Sequence, residues 1–307
     1  MLRKLFTAAL VLAAVGIAAF WALTRPQGLS RVQQASLVEG DAAAGETIFW
    51  AGGCGSCHAD KGAKGDDKKR LGGGHRLDTP AGIFVTPNIS PDPVTGIGNW
   101  SLEAFANAMW NGVSPRGSHY YPAFPYASYA RMSGGDVSNL FAFLRTLEPV
   151  MRENEPHELA LPFKLRRGIG LWKRLFLDPA PVKTGLQGEG DIERGRYLAE
   201  GPGHCGECHT PRTLFGFGGM DEGHWLGGGP APEGDGKIPN ITSGEGGIGG
   251  WSAAEIASYL ETGFTPDFDS VGGAMVSVQD NMTHLSKEDR AAIAAYLKAV
   301  PAVDIIR

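Results

Sequence analysis

The chain has 307 residues, which is enough for two domains of ordinary size. Its 28 basic and 33 acidic residues give a net charge of −5, and no basic face dominates, so we expect no nucleic-acid partner. The 45 glycines and 20 prolines indicate that loops make up much of the chain.

The N-terminal segment carries a membrane signal. Arg3 and Lys4 precede an apolar run over residues 5–23, and Arg25 follows it. A helix of this length spans roughly 28 Å, about the thickness of the hydrocarbon core of a bilayer. We expect residues 1–25 to be a retained anchor in the bacterial inner membrane, with the positive charges in the cytoplasm and the rest of the chain in the periplasm. A cleaved signal peptide is the alternative, and it gives the same periplasmic location.

Two C-x-x-C-H runs use all four cysteines of the chain, and this pattern is typical of covalent attachment of a c-type haem. Two thiols on one helical turn can each bond a vinyl group of the porphyrin, and the next residue, a histidine, can ligate the iron. The sequence therefore predicts two covalently bound haem c groups, each with its iron. The predicted attachment and proximal residues are Cys54, Cys57 and His58, and Cys205, Cys208 and His209.

Other uses of the cysteines fit less well. A zinc ribbon needs four ligands brought together, whereas the two pairs are 151 positions apart in similar segments. Redox disulfides within each pair would leave the trailing histidines unexplained. A thioredoxin-like domain would need a βαβ pattern around the motif, and the sequence has none.

The two motifs lie in an internal repeat. Trp100 follows Cys54 by 46 positions, and Trp251 follows Cys205 by the same distance. Around them, three short segments recur in order, which indicates a duplicated domain. The recurring segments are 71–74 and 226–229, 87–89 and 239–241, and 96–101 and 247–252.

Each copy is predicted to contain one helix before the motif and two after a glycine-rich loop. Ser101, Ser252 and Ser286 are typical N-cap residues, and Gly112 and Gly263 are typical helix ends. No stretch has the pattern of a sustained strand, so we expect an all-α fold. The predicted helices are 44–51, 104–112 and 136–147, and 192–200, 253–263 and 287–300.

The sixth iron ligands are predicted less directly. Met275, in a glycine-rich loop before the last helix, is the expected ligand of the second haem. The corresponding position in the first copy falls near Phe124, which cannot bind iron. Met132 is the nearest thioether and is the expected ligand there. His119 or an open site are the alternatives.

Two further segments carry basic residues. The run over residues 61–70 is expected to be a solvated loop. In residues 149–187, between the copies, basic and apolar residues alternate. We interpret this segment as a connector in which Trp172, Leu175 and Phe176 pack between the copies, and a membrane-surface helix is the alternative.

Several segments of the chain match a known family. They are the two C-x-x-C-H motifs and residues 88–92, 95–98, 119–126, 264–268 and 272–275. In these segments the chain resembles the bacterial periplasmic multihaem cytochrome c subunits of alcohol, gluconate and related dehydrogenases. We expect two tandem cytochrome c-like domains, at residues 38–148 and 188–303, behind the N-terminal transmembrane helix. Such subunits commonly have three haem motifs, whereas this chain has two, and several place a methionine where this chain has Phe124.

The resemblance also implies a function. Such subunits carry electrons from a flavin, pyrroloquinoline quinone or molybdenum dehydrogenase to quinone or a terminal oxidase. We therefore expect an electron-transfer protein with periplasmic or membrane redox partners and no catalytic residues. The alternatives are a dihaem enzyme, of the peroxidase or thiosulfate dehydrogenase type, and a subunit of a terminal oxidase. An open coordination site on one haem would favour the enzyme.

Overall fold

The N-terminal helix stands apart from the rest of the molecule. The structure is a computed structural model that describes residues 1–186, 188–231 and 236–304. Helix α1 (Leu2–Leu23) has no buried residue. Among the described residues it alone is long and apolar enough to cross a membrane, with a mean hydropathy of 2.2, and an N-terminal signal sequence would pass the same test. A short helix, α2 (Arg31–Ser36), follows with a capping box at Ser30.

The first copy is built from helices that surround its C-x-x-C-H motif. Helix α3 packs along α7, so the segment before the motif lies against the last helix of the copy. All three predicted helices are present, with ends shifted by at most three residues. The helices are α3 (Ala42–Ala51), α4 (Cys54–His58), α5 (Leu102–Asn111), α6 (Tyr126–Tyr129) and α7 (Gly134–Leu144).

The second copy repeats this arrangement after a connecting helix, α8 (Ile169–Phe176). Its first and last helices, α9 and α13, pack together as α3 and α7 do. Gln187, the last residue of the predicted linker, lies outside the described residues. The helices of this copy are α9 (Asp191–Glu200), α10 (Cys205–His209), α11 (Ala253–Thr262), α12 (Met275–Met282) and α13 (Lys287–Ala299).

The predicted helix ends are confirmed where a cap residue marks them. The side chains of Ser101, Ser252 and Ser286 each accept a hydrogen bond from a backbone N–H in the first turn. Gly112 and Gly263 end α5 and α11 with φ of 56° and 76°, in the left-handed region that glycine adopts without strain.

The expectation of an all-α fold is too strict, because the mostly helical chain also contains two small sheets. One sheet has the order β1-β2-β3 and the other pairs β4 with β5, all antiparallel. Strands of two to four residues are too short to show an alternating pattern in the sequence. The strands are β1 (Arg76–Thr79), β2 (Gly82–Val85), β3 (Glu158–Leu159), β4 (Gly229–Pro230) and β5 (Lys237–Ile238).

Both copies contribute to one continuous hydrophobic core. Phe49 and Leu140 of the first copy belong to the same buried cluster as Leu198 and Ile293 of the second. Between the copies, the ring of Trp50 stacks on that of His284, with the centroids 3.7 Å apart. The C-x-x-C-H motifs are therefore held on a common framework.

Candidate functional site

Each motif histidine is oriented by a backbone carbonyl. His58 Nδ1 lies 2.8 Å from the carbonyl oxygen of Pro87, and His209 Nδ1 lies 2.9 Å from that of Pro239. Because a carbonyl can only accept, Nδ1 carries the proton and Nε2 keeps its lone pair. Burial also lowers the pKa of both imidazoles, which favours the neutral form that binds a metal. Both histidines thus fit the role of a haem iron ligand.

The motif cysteines are also suited to covalent attachment. Each pair lies on a single helical turn, with its two cysteines three positions apart. Burial raises the pKa of Cys54 and of Cys205 to about 12, which disfavours the thiolate form that a zinc ion requires. Within the described part of the chain, no three His, Cys, Asp or Glu side chains come together as a metal cluster. The residues therefore fit a porphyrin with thioether links and do not fit a zinc site.

The spacer glycine of each motif is required by close packing. A Cβ at Gly55 would lie 2.5 Å from the carbonyl oxygen of Lys68, and one at Gly206 would lie 2.1 Å from the ring of Trp225. Real Cβ atoms do not approach other atoms this closely, so only glycine fits at either position. The repeat explains why both motifs share the form Cys-Gly-x-Cys-His.

The recurring loops support the proximal side of each motif. The amides of Gly73 and Gly228 donate to the carbonyls of His58 and His209, each at 2.7 Å. The sequence repeat marked these glycine-rich segments and the Pro-Asn-Ile segments. It did not show that the proline carbonyls orient the histidines, because a backbone contact leaves no signature in residue type.

The two predicted methionine ligands have different surroundings. Met275 is the first residue of α12 and is half-buried. Met132 is 5% exposed and lies in the core, and its carbonyl accepts a hydrogen bond from Trp110 Nε1. Met132 directly precedes the N-cap serine of α7. The matching residue of the second copy, directly before the N-cap Ser286 of α13, is Leu285, which is 4% exposed. The position of Met132 is thus one that an apolar core residue can fill.

The alternative ligands of the first copy lie elsewhere. His119 is buried and its Nε2 lies 2.8 Å from the carbonyl oxygen of Thr24, at the end of α1. Phe124 is half-buried, and its ring lies 5.7 to 6.1 Å from those of Tyr120, Tyr126 and Tyr129. His119 thus holds the N-terminal segment, and Phe124 belongs to an aromatic cluster.

The first motif makes direct contact with α12 of the second copy. This helix begins with Met275, the predicted ligand of the second haem. Ser56 Oγ, in the second spacer position, lies 2.8 Å from both Ser277 Oγ and Asn281 Nδ2 of α12. Lys68, buried beside the motif, donates to Asn281 Oδ1 at 2.8 Å and pairs with Asp280 at 2.7 Å. The expectation that residues 61–70 form a solvated loop is therefore wrong at Lys68, which is 3% exposed.

The second motif makes the reciprocal contact with the first copy. Ser128 Oγ of α6 donates to Glu207 Oε1, in the second spacer position, at 2.9 Å. Ser128 and Asn281 each lie five positions before the N-cap serine of their last helix. Next to this contact, His204 Nε2 lies 3.2 Å from the carbonyl oxygen of Gly52. Each attachment motif thus packs on the distal segment of the opposite copy, by which we mean the short helix before its last helix, α6 or α12.

Comparison with known proteins agrees with this geometry. Residues 42–148 match the family model described as Cytochrome c. The chain is 52% identical to a protein of Cereibacter sphaeroides described as "Diheme cytochrome c-type". The match covers 99% of this chain and 100% of that protein. The chain belongs to the dihaem c-type cytochromes. The family and the two motifs together show two covalently bound haem c groups.

More distant relatives of this dihaem cytochrome are subunits of dehydrogenases. The chain is 34% identical to the fructose dehydrogenase cytochrome subunit of Gluconobacter japonicus, over 84% of this chain and 52% of that protein. It is also 34% identical to the cytochrome c subunit of the quinone alcohol dehydrogenase of Gluconobacter oxydans, over 75% of this chain and 50% of that protein. The chain thus spans about half the length of these relatives.

A buried carboxyl group near the second motif gives a pH-dependent prediction. Glu200 accepts hydrogen bonds from Tyr296 Oη at 2.8 Å and from the amide of Val182 at 2.9 Å. Burial nevertheless raises its pKa above the usual 4.5. Between these two pKa values the folded chain holds more protons than the unfolded chain, so stability falls as pH rises.

Glu200→Gln is expected to remove this part of the pH dependence. Urea unfolding of the haem-loaded protein, followed by haem absorbance from pH 4.5 upward, measures the slope. The exposed residue Glu148 provides the control variant Glu148→Gln, which should keep the slope of the wild type. Equal slopes for wild type and Glu200→Gln would contradict the prediction.

Proposed function

We propose that this dihaem cytochrome relays electrons one at a time between a periplasmic donor, such as a dehydrogenase, and the respiratory chain. When bound, each haem c supplies one reversible one-electron couple. The observation that carries the proposal is the reciprocal contact, in which each motif packs on the distal segment of the other copy. This arrangement places both attachment motifs at the interface between the copies, which supports electron transfer within one molecule.

The residue roles within this proposal follow the motifs. We assign covalent attachment to the four cysteines and proximal ligation to His58 and His209. Met275 and Met132 are the proposed sixth ligands. The domain boundaries at residues 38–148 and 188–303, with a linker between them, are part of the same proposal. Donor and acceptor are proposed by the likeness to dehydrogenase cytochrome subunits.

We also propose that α1 is kept in the mature protein as a single-pass anchor. Arg3 and Lys4 precede the apolar run, and by the positive-inside rule this supports a periplasmic location of the haem-binding copies. The helix is long enough to span a bilayer, at roughly 33 Å for 22 residues. The intact mass of protein purified from membranes tests retention, since cleavage would remove the mass of this segment.

Carbon monoxide distinguishes the carrier from an enzyme. A relay with six-coordinate haems should show a reduced absorbance spectrum that carbon monoxide leaves unchanged. Rapid binding of carbon monoxide to one haem would instead favour a dihaem enzyme. The repeat places Phe124 at the position that corresponds to Met275, and its ring packs among tyrosine rings. If carbon monoxide binds, we therefore expect it to bind at the first haem.

The substitution Met132→Leu tests the ligand proposed for the first haem. If Met132 ligates iron, the ferric spectrum should lose one of two thioether charge-transfer bands, and carbon monoxide should bind. Leu285→Met, at the matching core position of the second copy, is the control and should change neither signal. An unchanged spectrum in Met132→Leu would place the residue in the core, as Leu285 is.

A further inference from the structure

The C-terminal end of α1 is held by the segment between the copies. Arg167 donates to the carbonyl of Trp21 at 2.7 Å and to Thr24 Oγ1 at 2.8 Å, and Arg174 donates to the carbonyl of Leu23. Cationic donors at the last carbonyls of a helix satisfy its free acceptors and its dipole. Gly170 of α8 packs so closely on Thr24 that a Cβ there would lie 2.6 Å from the Thr24 Cα. The first turn of α8 thus packs against the C-terminal end of α1.

Apolar side chains are exposed around this junction. Leu171 and Leu175 lie four residues apart on one side of α8, and Leu175 is 72% exposed, so the expectation that it packs between the copies is wrong. A loop of the second copy adjoins α8, because Trp172 Nε1 donates to the carbonyl of Phe217 at 3.0 Å. We name this surface the α8 patch, and its exposed residues are Leu161, Leu165, Leu171, Leu175, Leu214, Phe215 and Phe217.

The stretch around α8 is basic. Residues 161–177 contain five basic and no acidic residues, in a chain whose net charge is −5, and Asp178 follows them. Lys164 and Arg174 are exposed beside the apolar side chains. Exposed apolar side chains flanked by basic ones are typical of segments that lie in the headgroup region of an anionic membrane.

We propose that the α8 patch lies on the surface of the membrane that α1 spans, with its leucines and Phe215 among the lipid headgroups and its basic side chains on anionic lipid phosphates. The proposal rests on the membrane anchoring proposed above. If α1 spans the bilayer, Thr24 lies near the periplasmic surface, and the contacts of Arg167 and Gly170 place the patch at the same level. The patch would fix one orientation of both haem-binding copies relative to the membrane.

Hydrogen exchange of the full haem-loaded chain in lipid nanodiscs tests this proposal. In discs containing anionic phosphatidylglycerol, the amides of α8 should exchange at least about fivefold more slowly than in discs of phosphatidylcholine alone. The double variant Leu171→Glu/Leu175→Glu should lose this protection. Val94→Glu, at an exposed apolar position in a loop of the first copy, is the control and should keep it.

The same samples separate failure of this proposal from failure of the proposed function. Equal exchange in both lipids, with normal haem spectra and a retained α1, would overturn the patch and leave the relay intact. Slow exchange of α8 in both lipids that persists in the double variant would show that lipid does not protect the patch, and it would also overturn the proposal. If the intact mass shows that α1 is removed, the processed protein is tested by flotation with phosphatidylglycerol vesicles. Absence of flotation would overturn the proposal in that case.

Discussion

Replacing Met275 by leucine is expected to lower the reduction potential of one of the two haems by roughly 0.1–0.2 V, a fraction of the ~0.8 V range set by axial ligands. A thioether opposite histidine stabilises ferrous iron, and leucine offers no donor. The side chains are similar in volume, so the fold around α12 should persist. Spectroelectrochemical titration of the purified protein measures both potentials.

A matched control exists beside the second motif. The sulfur of Met220 lies 3.1 Å from the position that a Cβ of Gly206 would take, so this thioether is also near the attachment site. Met220→Leu makes the same chemical change and should leave both potentials within error of the wild type. If the potential falls in Met220→Leu and not in Met275→Leu, the assignment of Met275 is wrong.

Lys68→Ala is expected to destabilise the haem-loaded protein by about 2 kcal/mol, because it leaves the buried Asn281 Oδ1 without its donor, whereas the ion-pair partner Asp280 is 41% exposed. The Nζ group of Lys68 donates to the Ser277 carbonyl at 3.1 Å and to Asn281 Oδ1, and it pairs with Asp280. All three partners belong to α12, so the loss weakens the contact between the copies. Guanidinium unfolding followed by haem absorbance measures the change.

The neighbouring lysine provides the control. Lys69 pairs with Glu46 and Asp66 but is partly exposed, so Lys69→Ala should cost less than about 1 kcal/mol. Equal losses of stability in the two variants would contradict the role assigned to Lys68. A Lys68→Ala protein that unfolds in two steps would show in addition that this contact couples the copies.

The parts of the site that could be predicted are those encoded over a few residues. The C-x-x-C-H motifs gave the attachment residues, and Ser101, Ser252 and Ser286 marked helix starts because capping is a local hydrogen bond. The repeat predicted which loops correspond. These signals need no knowledge of how the copies pack.

The contacts between the copies could not be read from the sequence. Ser56 and Asn281 are 225 positions apart, and neither residue type identifies its partner. The sequence predicts a solvated Lys68 because its neighbours are charged, whereas its burial depends on the packing of α12 against it. Strand β3 has no local signal either, since it pairs with β2 across some 75 residues, and the other strands are too short to show an alternating pattern.

Single-electron reduction followed by rapid absorbance measurement tests the relay most directly. A substoichiometric pulse of reductant is mixed with the oxidised protein, and the spectra of the two haems are followed at several protein concentrations. The electron is expected to redistribute between the two haems at a rate independent of protein concentration, because the path lies within one molecule. Redistribution that is second order in protein would show that electrons pass only between molecules, and would contradict the relay.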